Sequence, residues 1–322
     1  MSGMTVHGSE VPASAGGGAV SSGSPGATAP GGHRSGLTVV PVRHYGRWIL
    51  GALVLVVLGL LVRAFAQANI DYGVVFQYFT ARPILVGVLH TLELTLLAMV
   101  MGLVLGVTIA VMRQSGNPVL TWVAAGYAWL FRGTPLLVQL LIWFNLSLIF
   151  ETFSIPGLFS MPMNQLMTPF VAALLGLGIN ESAYISEIVR GGILSVDNGQ
   201  KEAAAAIGMS RGKTMRRIVL PQALRVIVPP LGNEFIALLK FSSLAYTISY
   251  SELLQSANKI YTANFMVIEL LFTASFWYLL LTTLFTIGQQ MLETRLGRGV
   301  PGARSVSLST RLRRNLSLRR TA

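Results

Sequence analysis

The 322-residue chain contains no cysteine, which excludes disulfides, thiolate metal sites and cysteine nucleophiles. Its four histidines, His7, His33, His44 and His90, have no metal-ligand spacing, so no metal centre is expected. Charge is scarce: 11% of residues are charged, where a soluble domain carries roughly 25%. Acidic residues are scarcer still, 12 against 24 basic ones. The basic residues flank apolar runs instead of covering one amphipathic face, so membrane topology explains them and no nucleic-acid partner is expected.

What the chain has in abundance is apolar material, 52% of all residues. The fold class this implies is an all-α polytopic membrane protein with about six transmembrane helices. Residues 1–42 are rich in Gly, Ser, Ala and Pro and hold too little apolar material to offset the entropy of ordering them; a disordered cytoplasmic tail is expected. No apolar core lies near the start, so cleavage of a signal peptide is not expected.

Residues 43–82 are expected to hold a first span, Trp48–Ala66, and an external linker, with Arg43 and Arg47 keeping the start in the cytoplasm. Arg63, near the far end, has the length to snorkel to the headgroups. Residues 83–294 hold five further spans, placed at Val86–Met112, Leu120–Phe150, Thr168–Val189, Ala223–Thr247 and Phe265–Met291. Residues 295–322 form a basic cytoplasmic tail with eight arginines from Arg295 to Arg320, suited to an anionic lipid leaflet. Both termini are then expected on the cytoplasmic side of the membrane.

Several spans carry breaks or polar groups. Gly102 and Gly106 stand at the GxxxG spacing that permits close helix approach. His90 and Glu93 lie one turn apart, and either satisfy one another or contact the substrate. Phe131-Arg132-Gly133-Thr134-Pro135 interrupts the third span, with Thr134 expected to cap and Pro135 to open a new helix. Arg132 at that point serves as a hinge pin or a gate. Asn180, Tyr184 and Glu187 recur along one helix face, as a pathway lining or as a seal in which Glu187 bonds Arg190. Pro229-Pro230 and Gly232 are expected to break the fifth span just before Asn233 and Glu234. Lys240 shares a face with Asn233, facing a cavity or pairing with Glu187 or Glu234.

The long polar interruption of the second half is Gly199–Ala223. Glu202–Ile207 and Lys213–Leu220 have helical composition, Gly208 separates them and Pro221 is expected to stop the second helix. Lys201, Arg211, Lys213, Arg216 and Arg217 make the unit basic. Gly212-Lys213-Thr214 is not a phosphate-binding loop, because Ile207 stands where the first glycine would be required.

The order Glu202-Ala203-Ala204, three residues, Gly208, nine residues, Ile218, one residue, Leu220-Pro221 resembles the EAA signature of membrane subunits of type I ATP-binding-cassette importers. The runs RGTPLLVQLLIWF and AYISEIVRGGILSVDNGQKEAA resemble the polar amino acid permeases within that family, over about Val86–Met291. NEFIALLKFSSLAYTI does too, but departs from the family pattern at Phe241.

The resemblance implies a permease subunit, not an enzyme, that moves a polar amino acid by alternating access. ATP and Mg would be bound by a separate cytoplasmic ATPase dimer, coupled through Glu202, Ala203, Ala204, Gly208, Ile218, Leu220 and Pro221 as a cytoplasmic helix-turn-helix loop. An extracytoplasmic binding protein and a second permease subunit, identical or not, would complete the assembly. Arg132, Thr134, Asn180, Tyr184, Glu187, Asn233, Glu234 and Lys240 are the candidates for a substrate pathway or gate. Open alternatives are another small solute, such as an opine, an osmoprotectant or methionine, and a channel or secondary transporter working without ATP.

Overall fold

The computed structural model describes residues 45–157 and 159–296. The expected N-terminal tail with Arg43, and the expected C-terminal tail beyond Leu296, lie outside the described residues. The chain divides into two compact units, Met1–Ala68 and Asn69–Ala322. In the first, α1 (Tyr45–Ala66) is apolar on all sides, the composition of a helix whose solvent is lipid. Arg63 stands in its last turn.

The second unit begins with α2 (Tyr72–Phe79), a helix within the stretch expected as a linker. Asp71 caps it by accepting from the amides of Gly73 and Val74. α2 is fastened to α12 (Val267–Leu296): the Trp277 indole donates to the Phe79 carbonyl at 2.9 Å, and their rings stack at 4.6 Å.

α3 (Arg82–Arg113) and α7 (Pro169–Leu194) form the central pair. Two apolar helices gain little hydrophobic drive from meeting in lipid, so van der Waals fit decides their approach. Small residues supply it. A Cβ on Gly102 would come within 3.1 Å of the Glu181 side chain, and one on Gly106 within 2.8 Å of the Ser182 carbonyl. The close approach made possible by this glycine spacing is therefore real.

Between them in sequence come α4 (Pro118–Gly133), capped by Asn117, and α5 (Leu136–Phe144). A hairpin follows, β1 (Thr152–Ile155) antiparallel to β2 (Phe159–Pro162), then the single turn α6 (Met163–Leu166). The hairpin departs from the all-α expectation. Alternation explains it: Phe153, Ile155, Phe159 and Met161 share one face, while Ser154 pairs with Ser160 on the other.

After α7 come α8 (Asn198–Ala206), the short α9 (Arg211–Thr214) and a π-helical stretch, Met215–Val219, that runs into α10 (Leu220–Phe241). Pro221 was expected to stop a helix; instead it sits in the first turn of α10, directly after the π-helical stretch, and the helix continues through it. Pro229 and Pro230 do not break α10 either. The Gln289 amide of α12 reaches across to the Pro229 carbonyl at 3.2 Å. A 3-10 stretch, Ser242–Ile248, then leads to α11 (Leu253–Asn264) and α12.

One core cluster, including Leu94, Leu140, Leu177, Ile185 and Ile227, joins α3, α5, α7 and α10. A second, including Ile84, Val88, Leu239, Leu253 and Leu270, joins α3, α10, α11 and α12. Among the described residues, three helices are long and apolar enough to cross a membrane: Trp48–Ala66, Arg82–Arg113 and Val267–Arg295. The remaining expected spans coincide with the broken α4–α5 pair, with α7 and with α10 plus its 3-10 extension.

Candidate functional site

The α8–α9 turn is built by local rules. Asp197 caps α8 by accepting from the Gly199 amide at 2.6 Å. At the other end the amides of Gly208 and Met209 donate to the carbonyls of Ala205 and Ala204 at 2.9 and 3.0 Å, the paired bonds of a Schellman turn. That turn needs a residue with positive φ, and Gly208 has φ of 76°. Nothing crowds Gly208, so backbone conformation, not space, selects glycine. Glu202 and Ala203 are exposed, Ala204 is buried and Ile207, apolar, is 76% exposed. Ile218 is half-buried; Leu220 and Pro221 are exposed.

The break between α4 and α5 is clasped by side chains. Thr134 was expected to cap α5, but it closes α4: its hydroxyl donates to the Leu130 carbonyl at 2.8 Å. The same hydroxyl accepts from the Gln139 amide at 2.7 Å, and that amide also donates to the carbonyls of Phe131 and Thr134. Asn180 on α7 donates to the Phe131 carbonyl at 2.8 Å and to Gln139 Oε1 at 3.2 Å. Carbonyls freed by the break thus find amide donors. Asn180 belongs to this seal.

About two turns further along α7 the arrangement changes. Glu187 accepts from Arg190 Nε at 2.9 Å and bonds Arg113 at the end of α3. Arg190 Nη2 lies 2.8 Å from the same carboxylate, whereas Arg132 Nη1 stops at 4.0 Å. The Arg132 guanidinium lies 5.3 Å over the Tyr184 ring. Arg113, Trp129, Arg132, Tyr184 and Glu187 line a cleft of about 450 Å³. Three guanidiniums thus surround one carboxylate beside open volume.

The other candidates are placed differently. Asn233 is exposed and accepts from Gln289 Nε2 at 2.9 Å. Lys240 is exposed and, among the described residues, makes no ion pair with Glu187 or Glu234, which removes the pairing reading. Glu234 is half-buried within electrostatic reach of Glu181 and Arg132. Glu181, 4% exposed, keeps one carboxylate oxygen without a hydrogen-bond partner.

Near the first third of α3 lies a second polar cluster. Glu252, wholly buried, caps α11 through the amides of Leu254 and Gln255 at 2.9 and 2.8 Å. It also accepts from the Tyr278 hydroxyl at 2.6 Å and the Thr91 hydroxyl at 3.4 Å. Burial pushes the Glu252 carboxyl above the usual carboxylate range, against the downward pull of these donors. His90 bonds the Ser251 carbonyl at 2.9 Å, so its partner is not Glu93.

Residues 102–298 match the family of inner membrane components of binding-protein-dependent transport systems. The chain belongs to that family. It is 42% identical, over 80% of its own length and 83% of the relative's, to the arginine transport system permease protein ArgU of Corynebacterium glutamicum. It is 40% identical to the L-cystine transport system permease protein TcyB of Bacillus subtilis, over 66% of this chain and 86% of that one. A solved amino acid ABC transporter aligns with a TM-score of 0.62 and 35% identity, covering 71% of this chain and 100% of that one. The recognised resemblance to polar amino acid permeases is thereby established, and with it a membrane location.

Within this transport-component family member, sequence reasoning missed Gln139, Glu181, Glu252 and Tyr278. Gln139 interrupts the apolar run Leu136–Phe144, and a lone polar residue in such a run is a usable signal. For Glu252 the cap on α11 is local, but its hydroxyl partners lie 161 and 26 residues away, beyond any sequence signal.

Proposed function

We propose that the chain is the permease subunit of an ATP-driven importer that moves a polar amino acid across the bacterial plasma membrane by alternating access. Six spans place both termini in the cytoplasm. The observation that carries the cargo class is the 42% and 40% identity to permeases named for arginine and cystine.

The α8–α9 unit, from Glu202 through Ala203, Ala204 and Gly208 to Ile218, Leu220 and Pro221, couples to separate ATPase subunits that bind ATP and Mg. Its exposed Ile207 and basic residues suit a docking knob, and its Schellman turn gives the knob a fixed shape. A binding protein delivers the cargo outside, and a second permease subunit completes the pathway. Of the polar groups, Arg132, Tyr184 and Glu187 border open volume and serve as pathway or gate, with Glu234 nearby. Asn180 and Thr134 hold the hinge; Asn233 and Lys240 stand on an exposed face of α10.

The test is reconstitution in liposomes with the ATPase and binding-protein subunits, following labelled arginine, cystine and glutamine with and without ATP. ATP-dependent uptake of one of them is expected, and flux indifferent to ATP would sink the reading. Gly208→Val forces a β-branched residue into positive φ, a conformation that costs an ordinary residue roughly 1–2 kcal/mol. It should abolish uptake while membrane abundance stays normal; undiminished uptake would remove the loop from the mechanism.

A further inference from the structure

The cleft beside Glu187 holds more cationic groups than its carboxylate can occupy. Glu187 has one oxygen on Arg190 and the other on Arg113. At 4.0 Å, Arg132 makes no hydrogen bond to it. The Tyr184 face steadies the Arg132 guanidinium without consuming any N–H group. Arginine carries about five such donors in a rigid fork. The Arg132 side chain is 45% exposed, on the wall of the 450 Å³ cleft. That volume falls in the range of about 300–1,000 Å³ usual for small-molecule sites.

From this we propose that Arg132 receives the α-carboxylate of the amino acid cargo, which deepens the importer reading and rests on it. A carboxylate matches the guanidinium fork with two parallel hydrogen bonds. Arg113 and Arg190, already bound to Glu187, add positive potential without competing for the ligand. Even with Glu234 counted, the cluster stays cationic. Every amino acid carries the group recognised here, so the cleft reads the backbone of the cargo and leaves side-chain choice to other groups. A phosphate of an anionic lipid headgroup has the same charge and acceptor geometry, and the experiment separates the two.

The permease–ATPase complex in lipid nanodiscs, without binding protein, is titrated with labelled arginine, cystine and glutamine. Each is then competed with the unlabelled acid or its methyl ester, which removes the negative charge and adds one methyl group. The wild type should bind the acid about ten- to a hundredfold more tightly than the ester, the range expected for charge-assisted hydrogen bonds. Arg132→Gln should lose that preference, and Arg132→Lys should retain part of it. Equal competition by acid and ester in the wild type, unchanged acid affinity in Arg132→Gln, or binding of none of the three amino acids overturns the proposal. The wild-type acid–ester comparison stands even where Arg132→Gln fails to fold.

A second set of discs contains phosphatidylglycerol in place of part of the phosphatidylcholine. Unchanged arginine binding in both supports the cargo carboxylate; an acid preference abolished by phosphatidylglycerol means a headgroup occupies the cleft, and the proposal fails. ATP-driven uptake by the wild type is measured in parallel. If it persists while the acid–ester preference is absent, the Arg132 role fails and the importer reading survives.

Discussion

Glu252 and Glu187 are both carboxylates among helices, and the protein treats them in opposite ways. Glu252 is wholly buried and accepts from two backbone amides and two hydroxyls. All its partners are neutral. Glu187 keeps 21% of its side chain exposed and is approached by three arginines beside an open cleft. A fully satisfied buried group has one good arrangement, and losing any partner leaves another polar group stranded in low dielectric. An over-supplied, half-exposed cluster has several arrangements of similar energy. The first fixes α3, α11 and α12 together; the second leaves Arg132 off the carboxylate on the wall of the cleft.

The contrast is broken most severely at Glu252. Glu252→Ala removes a helix cap and strands the hydroxyls of Thr91 and Tyr278, a loss of about 2–4 kcal/mol. Thermal unfolding in detergent measures it, and a loss no larger than that of Glu187→Ala would dissolve the distinction. Glu252→Gln keeps an acceptor and should retain most of the stability. It should also change the pH profile. A carboxyl held above its ordinary value stabilises the fold below the unfolded value and loses that contribution as pH rises through the folded one. The wild type should show that declining limb and Glu252→Gln should lack it.

Gln139→Leu comes next. It deprives the Phe131 and Thr134 carbonyls of a donor and Asn180 of an acceptor, at a cost of about 1–3 kcal/mol. Pairing it with Asn180→Leu in a double-mutant cycle should give a coupling energy above about 0.5 kcal/mol, and additivity would show that the clasp does not act as a unit. The smallest effect belongs to Glu187→Ala. Its arginines are 22–45% exposed on their side chains and can be solvated, so the stability change should stay near 1 kcal/mol or below. A larger loss would place the cluster with Glu252 as a structural lock.

Much of the chain was legible before any coordinates. Apolar runs marked α1, α3 and α12 as spans, and the Gly102–Gly106 spacing marked the close face of α3. Gly208 announced a turn, and its positive φ follows from its place in the Schellman bonds. Glu187 bonds Arg190 because residues three apart on a helix are neighbours. Prolines were less readable. Pro221 and Pro229 look like stops in isolation, yet the π stretch before α10 and the Gln289 amide from α12 accommodate them.

The sequence by itself determined which segments prefer lipid, where the backbone must turn, and which spacing resembles the importer signature, because these depend on composition and on neighbours within a turn or two. Only the tertiary structure decided the partners of the polar groups: Arg113 for Glu187, Gln139 for Asn180, Tyr278 for Glu252 and the open side of Arg132. Those choices depend on how each helix is rotated and slid against the next, and that register is set by packing at places such as Gly102 and Gly106, far along the chain from the groups it brings together.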